Sequence, residues 1–353
     1  MSRFLNERLS ALEAYVPGEQ PGDKKYIKLN TNESPYPPPQ SVINAVGEKE
    51  LAELRLYSDP ECRVLRTALA EAYGVRRENV FLSNGSDEIL NFAFMAYGGR
   101  GAVFPDITYG FYSVFAQLYG IQAETVPLKS DFTLDAGAFC GRNSLVVIAN
   151  PNAPTGLTLS LVEIEKIVSS NPDGIVLIDE AYIDFGAESA YRLIGKYDNL
   201  LVVQTFSKSR SLAGARLGFA FADGRIINDL EKIKYSTNPY NINRLTQLAG
   251  VAALKEAEYF NKNCKKIAET RGYVKKELEK MNFSVTDSKA NFLFAKCPVI
   301  GGRELYLRLK ERGILIRHFE KERISDYSRI TVGSRDEMEE FLRAVREIIG
   351  GRV

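Results

Sequence analysis

The sequence predicts an α/β protein: a large domain with a mostly parallel sheet flanked by helices, and a smaller α+β domain. Three observations carry this. From Tyr57 to about Phe221, short apolar runs rich in Val, Ile and Phe alternate with stretches of helical period. The runs are continuous, so they bury both faces, as in a parallel sheet covered on both sides. After Thr237 the texture changes to long charged helices with a few short strands, a segregation of the α+β kind. At about 150 residues per domain, a chain of 353 residues makes about two domains. Their expected extents are 30–240 for the large domain, and 1–29 with 241–353 for the small one.

The elements follow in order. TNESPYPPP (31–39) is proline-rich and predicts an extended connection between the domains. Strands are predicted at VFLS (80–83), AVFP (102–105), LVVIAN (145–150), GIVLID (174–179), LLVVQTF (200–206) and LGFAFA (217–222). Helices opening at Cys62, Ser86, Tyr109 and Ser160 separate some of them, and Ser160 with Glu163 makes a capping box. Beyond Thr237 come the helical stretch EYFNKNCKKIAETRGYVKKELEKM (258–281), the strands ANFLFA (290–295) and RITVGS (329–334), and a last helix opened by Ser334 and Glu337.

Composition narrows the function classes. Forty-six Lys and Arg nearly balance 45 Asp and Glu, leaving no field to gather nucleic acid or an anionic membrane, so a small molecule is the expected partner. Cys62, Cys140, Cys264 and Cys297 are scattered without a C-x-x-C pair, against a disulfide framework or a zinc site and in keeping with a reducing cytoplasm. The N-terminus MSRFLNERLSALEAY lacks the unbroken apolar core of a signal peptide, and no apolar run reaches membrane-spanning length. His318 is the single histidine, which removes most metal sites and a Ser-His-Asp triad; it is expected at the surface or in packing.

In an open parallel α/β sheet, ligands sit beyond the carboxyl ends of the strands. Lys208, Asp179 and the turn NPNAPTG (150–156) all fall at such ends. In NGSDE (84–88) a Gly-Ser lies between a strand and a helix, offering backbone amides and a hydroxyl to an anion. Arg216 and Ser207 would complete a cage for a dianionic phosphate. A lysine beside an arginine and away from bulk water has its ammonium form disfavoured, so its amine can condense with an aldehyde. Aldehyde, phosphate and a ring nitrogen seeking a carboxylate are combined in pyridoxal phosphate. Asp179 would pair with the ring nitrogen, Tyr109 of FPDITYG would stack on the ring, and Tyr182 would donate to its phenolic oxygen.

LNTNESPYPPP, LYSDPE, SNGSDE, DITYG, NPNAPTG, IDEAY, TFSKSRSLAGARLG and RITVGS occur in the order seen in the fold-type I pyridoxal phosphate aminotransferases. The set most resembles the histidinol-phosphate aminotransferases, over nearly the whole chain. The resemblance implies that Lys208 is the covalent anchor and that Asp179 holds the ring nitrogen. It places Ser86, Asp87, Ser207 and Arg216 around the cofactor phosphate. It brings Tyr57 of LYSDPE to that phosphate from a neighbouring subunit, which implies a homodimer. Tyr15, Arg317 and Arg329 match the family's substrate contacts. One departure stands out: where the family carries the Asn of NPTG, this chain has Ala153, so either Asn152 reaches the phenolic oxygen or Tyr182 and water serve alone.

The activity so implied is amino transfer between L-histidinol phosphate and 2-oxoglutarate, giving imidazole-acetol phosphate and glutamate. An aromatic or broad-specificity aminotransferase, or a threonine-phosphate decarboxylase, would share the same cofactor residues. A nicotinamide-dependent oxidoreductase would need G-x-G-x-x-G after a strand, and neither that nor a P-loop occurs. A transcription regulator with a transaminase-like domain would need a DNA-binding segment, and the residues before Asn30 are too few and not basic enough.

Overall fold

Twelve strands make up two sheets among the described residues, 2–350, of the computed structural model. In chain order they are β1 (Ile27–Leu29), β2 (Val80–Asn84), β3 (Ala102–Pro105), β4 (Ala123–Val126), β5 (Leu145–Ala149), β6 (Val176–Asp179), β7 (Leu200–Thr205), β8 (Leu217–Ala222), β9 (Ser284–Val285), β10 (Phe292–Lys296), β11 (Ile314–His318) and β12 (Tyr327–Thr331). The larger sheet runs β2-β8-β7-β6-β5-β3-β4. The strands β3 to β7 pair in parallel, and β8 lies antiparallel to both of its neighbours.

The unbroken apolar runs are explained by burial on both sides. Val147, Leu177, Leu201 and Val203 pack on one face, and Val146, Ile148, Val176, Ile178 and Val202 on the other. All six predicted strands of this sheet form. The seventh, β4, went unpredicted because it is an edge strand whose Ala123, Glu124 and Thr125 are exposed, which leaves no apolar pattern to find.

Helix starts follow the caps only in part. Ser160 and Glu163 form the expected capping box, and Ser334 and Glu337 bond each other's backbone amides in the same way. The helix Ser86–Tyr97 is capped by Gly85 with φ 76°, so Ser86 is its first turn and not its cap. Gly85 is also the floor of a close contact: a Cβ on Gly218 of β8 would lie 2.4 Å from Gly85 C and Ser86 N. The turn that opens this helix is thus pressed against the neighbouring strand.

The smaller sheet runs β1-β11-β12-β10-β9, with β1 parallel to β11 in the register Ile27↔Ile314. Ile27–Leu29 therefore pair with the C-terminal part of the chain. Leu278, Leu305, Leu309, Phe341 and Val345 cover this sheet from the helices Ala257–Lys280, Gly302–Glu311 and Arg335–Gly350. The expected change of domain at 241 is not where the packing changes. Ala249, Ala253 and Phe260 share a core with Val80 and Phe219, so the helix Arg244–Leu254 still covers the larger sheet. Its small residues allow this, since a Cβ on Gly250 would fall 2.6 Å from Leu217 Cδ2. His318 is a packing residue, stacked on Tyr306 at 6.2 Å. No helix among the described residues is long and apolar enough to cross a membrane.

Replacing Gly218 with Ala forces β8 and the Gly85 turn apart. The expected cost is about 1–3 kcal/mol, measurable as a lowered urea midpoint with an unchanged slope.

Candidate active site

A cavity of about 600 Å³ opens where the carboxyl ends of β5, β6 and β7 meet the smaller sheet, and Lys208, Asp179, Tyr182, Ser207, Ser86, Asp87, Tyr109 and Arg216 all line it. So do Tyr15, Arg317 and Arg329 from the other part of the chain. Eleven of the thirteen predicted site residues are therefore brought together. The exceptions are Asn152 and Tyr57.

Lys208 follows β7 by three residues and is half-buried, its Nζ donating to the Thr31 carbonyl at 3.2 Å. Burial pushes its pKa down to about 8, with the Arg329 guanidinium the next cause and Arg216 a lesser one. The arginine expected to repel the lysine was Arg216; the stronger repulsion comes from Arg329, brought across by the fold.

Asp179 ends β6 with only 5% of its surface exposed. Tyr112 donates its phenol to Oδ2 at 2.8 Å, and the Ala181 amide donates to Oδ1 at 3.2 Å. Burial nevertheless raises its pKa to about 6. A carboxyl in that condition gains from a cationic partner, such as a protonated ring nitrogen.

The candidate anion seat is the start of the helix Ser86–Tyr97, whose first amides have no partner within the helix. Arg216 sits at φ 53° and lays its guanidinium over Gly85, where a Cβ would meet Nη2 at 2.4 Å. Its Nη2 bonds Asp87 Oδ2 at 3.0 Å, and Tyr109 donates to the other oxygen of Asp87 at 2.9 Å. Asp87 therefore orients Arg216 and Tyr109, while its backbone amide and the Ser86 and Ser207 hydroxyls are the groups suited to phosphate. Thr205, unforeseen, bonds Ser207 through Oγ1 at 2.9 Å.

Arg317 and Arg329 are direct cross-strand partners on β11 and β12, so both side chains share one face. Like charges placed so destabilise a sheet unless an anion joins them. Neither has a carboxylate partner among the described residues: Arg317 donates to the carbonyls of Pro17 and Val16 at 3.0 and 2.9 Å, and Arg329 to that of Asn30 at 2.9 Å. The Nε of Arg329 is buried without a hydrogen-bond partner among the described residues. Phe319 receives both guanidinium groups over its ring, at 5.9 and 6.0 Å. Tyr15 stacks on Phe111 at 4.3 Å and meets Tyr109 edge-on at 6.0 Å.

Two expectations need correction. The Asn152 side chain bonds the Ile107 carbonyl and the Thr155 and Thr108 hydroxyls, all at 2.9–3.0 Å, and does not line the cavity; its capacity is consumed holding two loops together. The proline-rich connection is more than a spacer. Asn32, at φ 56°, donates from Nδ2 to the Tyr182 hydroxyl at 3.0 Å, which leaves that hydroxyl's own proton for a cavity ligand. The asparagines of LNTNES were the available signal for it. Tyr57 is 81% exposed and stacks on Tyr240, outside the cavity of its own chain.

Aldehyde-reactive amine, buried acid, anion seat and paired arginines together fit pyridoxal phosphate and an anionic substrate. They define an amine-transferring α/β enzyme. Residues 24–345 match the family Aminotransferase class I and II, and the chain belongs to that family. It is 51% identical over 352 residues, 99% of each chain, to the histidinol-phosphate aminotransferase of Brachyspira hyodysenteriae. To that of Clostridium acetobutylicum it is 48% identical over 351 residues, 99% of this chain and 100% of the relative. The crystal structure of histidinol-phosphate aminotransferase from Sinorhizobium meliloti in complex with pyridoxal-5'-phosphate shares the fold, with a TM-score of 0.89 at 23% identity over 100% of this chain and 99% of that one.

In the cofactor-free protein, Lys208 should gain reactivity toward an aldehyde reagent as pH rises through about 8. Its neutral form is the nucleophile and lies above that midpoint. Arg329→Leu removes a repelling charge and should move the midpoint upward. The measurement is borohydride-trapped labelling of Lys208 against pH.

Proposed function

We propose that the chain transfers the amino group of L-histidinol phosphate to 2-oxoglutarate, yielding imidazole-acetol phosphate and glutamate, with pyridoxal phosphate as cofactor. The observation that carries the reaction class is a lysine amine of lowered pKa sharing one cavity with the buried carboxyl of Asp179. The choice of substrate is supported by the names of relatives about half identical over the full length. When bound, pyridoxal phosphate supplies an aldehyde that exchanges amines and a ring that accepts the electron pair left by the departing α-proton.

The protein's own groups divide the remaining work. Lys208 Nζ would anchor the cofactor, and as a free amine of lowered pKa it would take the α-proton from the substrate carbon. Asp179 would hold the ring nitrogen, Tyr182 would donate to the phenolic oxygen, and Ser86, Asp87, Ser207 and Arg216 would seat the phosphate. Arg317 and Arg329 grip the substrate phosphate in one half-reaction and the carboxylates of glutamate in the other, with Tyr15 over the substrate; planar guanidinium forks suit both anions. Ping-pong kinetics follow, since the amine donor leaves as ketone before the acceptor enters.

The same reading makes the enzyme a homodimer, with Tyr57 completing the phosphate seat of a second copy. Its exposure, and the exposure of Leu51, Leu54, Leu56 and Val64 around it, support this. A cytoplasmic setting accords with four free thiols.

Lys208→Ala should remove the visible absorbance of the lysine adduct and lower turnover by several orders of magnitude; wild-type transamination by that variant would refute the mechanism. Catalytic efficiency with histidinol phosphate should exceed that with phenylalanine or tyrosine. Efficiency led by phenylalanine, or carbon dioxide release from threonine phosphate, would reassign the substrate. Mixing Tyr57→Phe with Lys208→Ala protomers should return about a quarter of the wild-type sites, because a hybrid dimer pairs one intact site with one doubly altered.

A further inference from the structure

The acid at the end of β6 is gripped from behind. Tyr112 belongs to the helix Phe111–Tyr119, is wholly inaccessible to solvent, and directs its hydroxyl to Asp179 Oδ2 at 2.8 Å. Its ring is fixed by Phe104 at 5.9 Å, Phe94 at 6.4 Å and the perpendicular ring of Tyr109 at 5.8 Å. No other side chain bonds Asp179 among the described residues. Asp87 and Tyr182 are the remaining titratable groups that sense it, and they are occupied elsewhere: Asp87 by Arg216 and Tyr109, Tyr182 by the Asn32 amide.

We propose that Tyr112 is a positioning residue: its hydroxyl occupies one oxygen of Asp179, so that the carboxylate keeps its charge and presents its other lone pairs to the cavity. A donor aimed at a carboxylate favours the ionised form, and in a dry site that hydrogen bond is worth more than in water. Ionised Asp179 is what a protonated ring nitrogen requires. That last step rests on the function proposed above; the hold of Tyr112 on Asp179 does not. Tyr112 touches no reacting atom, and its effect passes through Asp179 alone.

The test reads Asp179 directly in the cofactor-free protein, by carbon-13 NMR of labelled aspartate with Asp179→Asn to assign the signal. Wild type should titrate near about 6. Tyr112→Phe keeps the ring in its aromatic seat and removes only the donor, so the midpoint should rise by about one pH unit. A fluorotyrosine at position 112 is a stronger donor and should move it down, and this second substitution decides the matter if Tyr112→Phe does not fold. In the loaded protein, the dissociation constant for pyridoxal phosphate should rise about tenfold in Tyr112→Phe. Unmoved midpoints in folded variants overturn the proposal. A midpoint that moves while cofactor affinity stays constant overturns the role toward the ring nitrogen. If wild type takes up no pyridoxal phosphate at Lys208, it is the functional reading that fails, because the midpoint is measured without cofactor.

Discussion

The structure is organised around making one amine far easier to deprotonate than an ordinary lysine. Lys208 is half-buried at the end of a core strand and faces Arg329 across the cavity, and these two conditions lower its pKa to about 8. Each has a structural cost. Burial requires a wall on the open side of the sheet, which the smaller sheet and the segment from Thr31 to Asn32 supply. A second cation nearby requires an element that can hold a guanidinium without a carboxylate, and the β11–β12 pair does this with backbone carbonyls.

The parallel sheet converts these demands into geometry. Adjacent strands β6 and β7 end side by side, in the register Asp179↔Val203, so the acid and the lysine approach the cavity from neighbouring positions. β8 then turns back antiparallel and delivers Arg216 above the Gly85 turn. The anion seat is thus built from a helix start and a strand start that touch, with no long loop between them. That contact tolerates only glycine at 85 and 218.

Much of this could be seen in the chain alone, for definite reasons. Strands buried on both faces are unbroken apolar runs, so β2, β3 and β5 to β8 were legible, and a polar residue at the end of such a run marks a site; Lys208 and Asp179 were found in this way. What escaped lacked a local signature. β4 is polar because it is an edge strand. Tyr112 looks like any core aromatic, since its role depends on a hydroxyl meeting a residue 67 positions away. The pairing of Arg317 with Arg329 depends on strand register, and here family resemblance supplied what periodicity could not. Asn152 misled because one sequence position next to a site is no guide to where a side chain turns: Thr108 and the Ile107 carbonyl claimed its amide. The domain change at 241 was misplaced because helix Arg244–Leu254 differs in composition from the sheet it covers.

The hydrogen bonds of Arg317 and Arg329 to main-chain carbonyls have a consequence of their own. A carbonyl fixes a guanidinium in space without cancelling its charge, whereas an aspartate would do both. An anionic ligand entering there would meet a fork already held in place and would displace no bonded carboxylate, so little of its interaction would be consumed in rearrangement. An uncharged ligand would gain nothing from this arrangement, since among the described residues the two like charges rest on carbonyls and the Phe319 ring, with no carboxylate bonded to either.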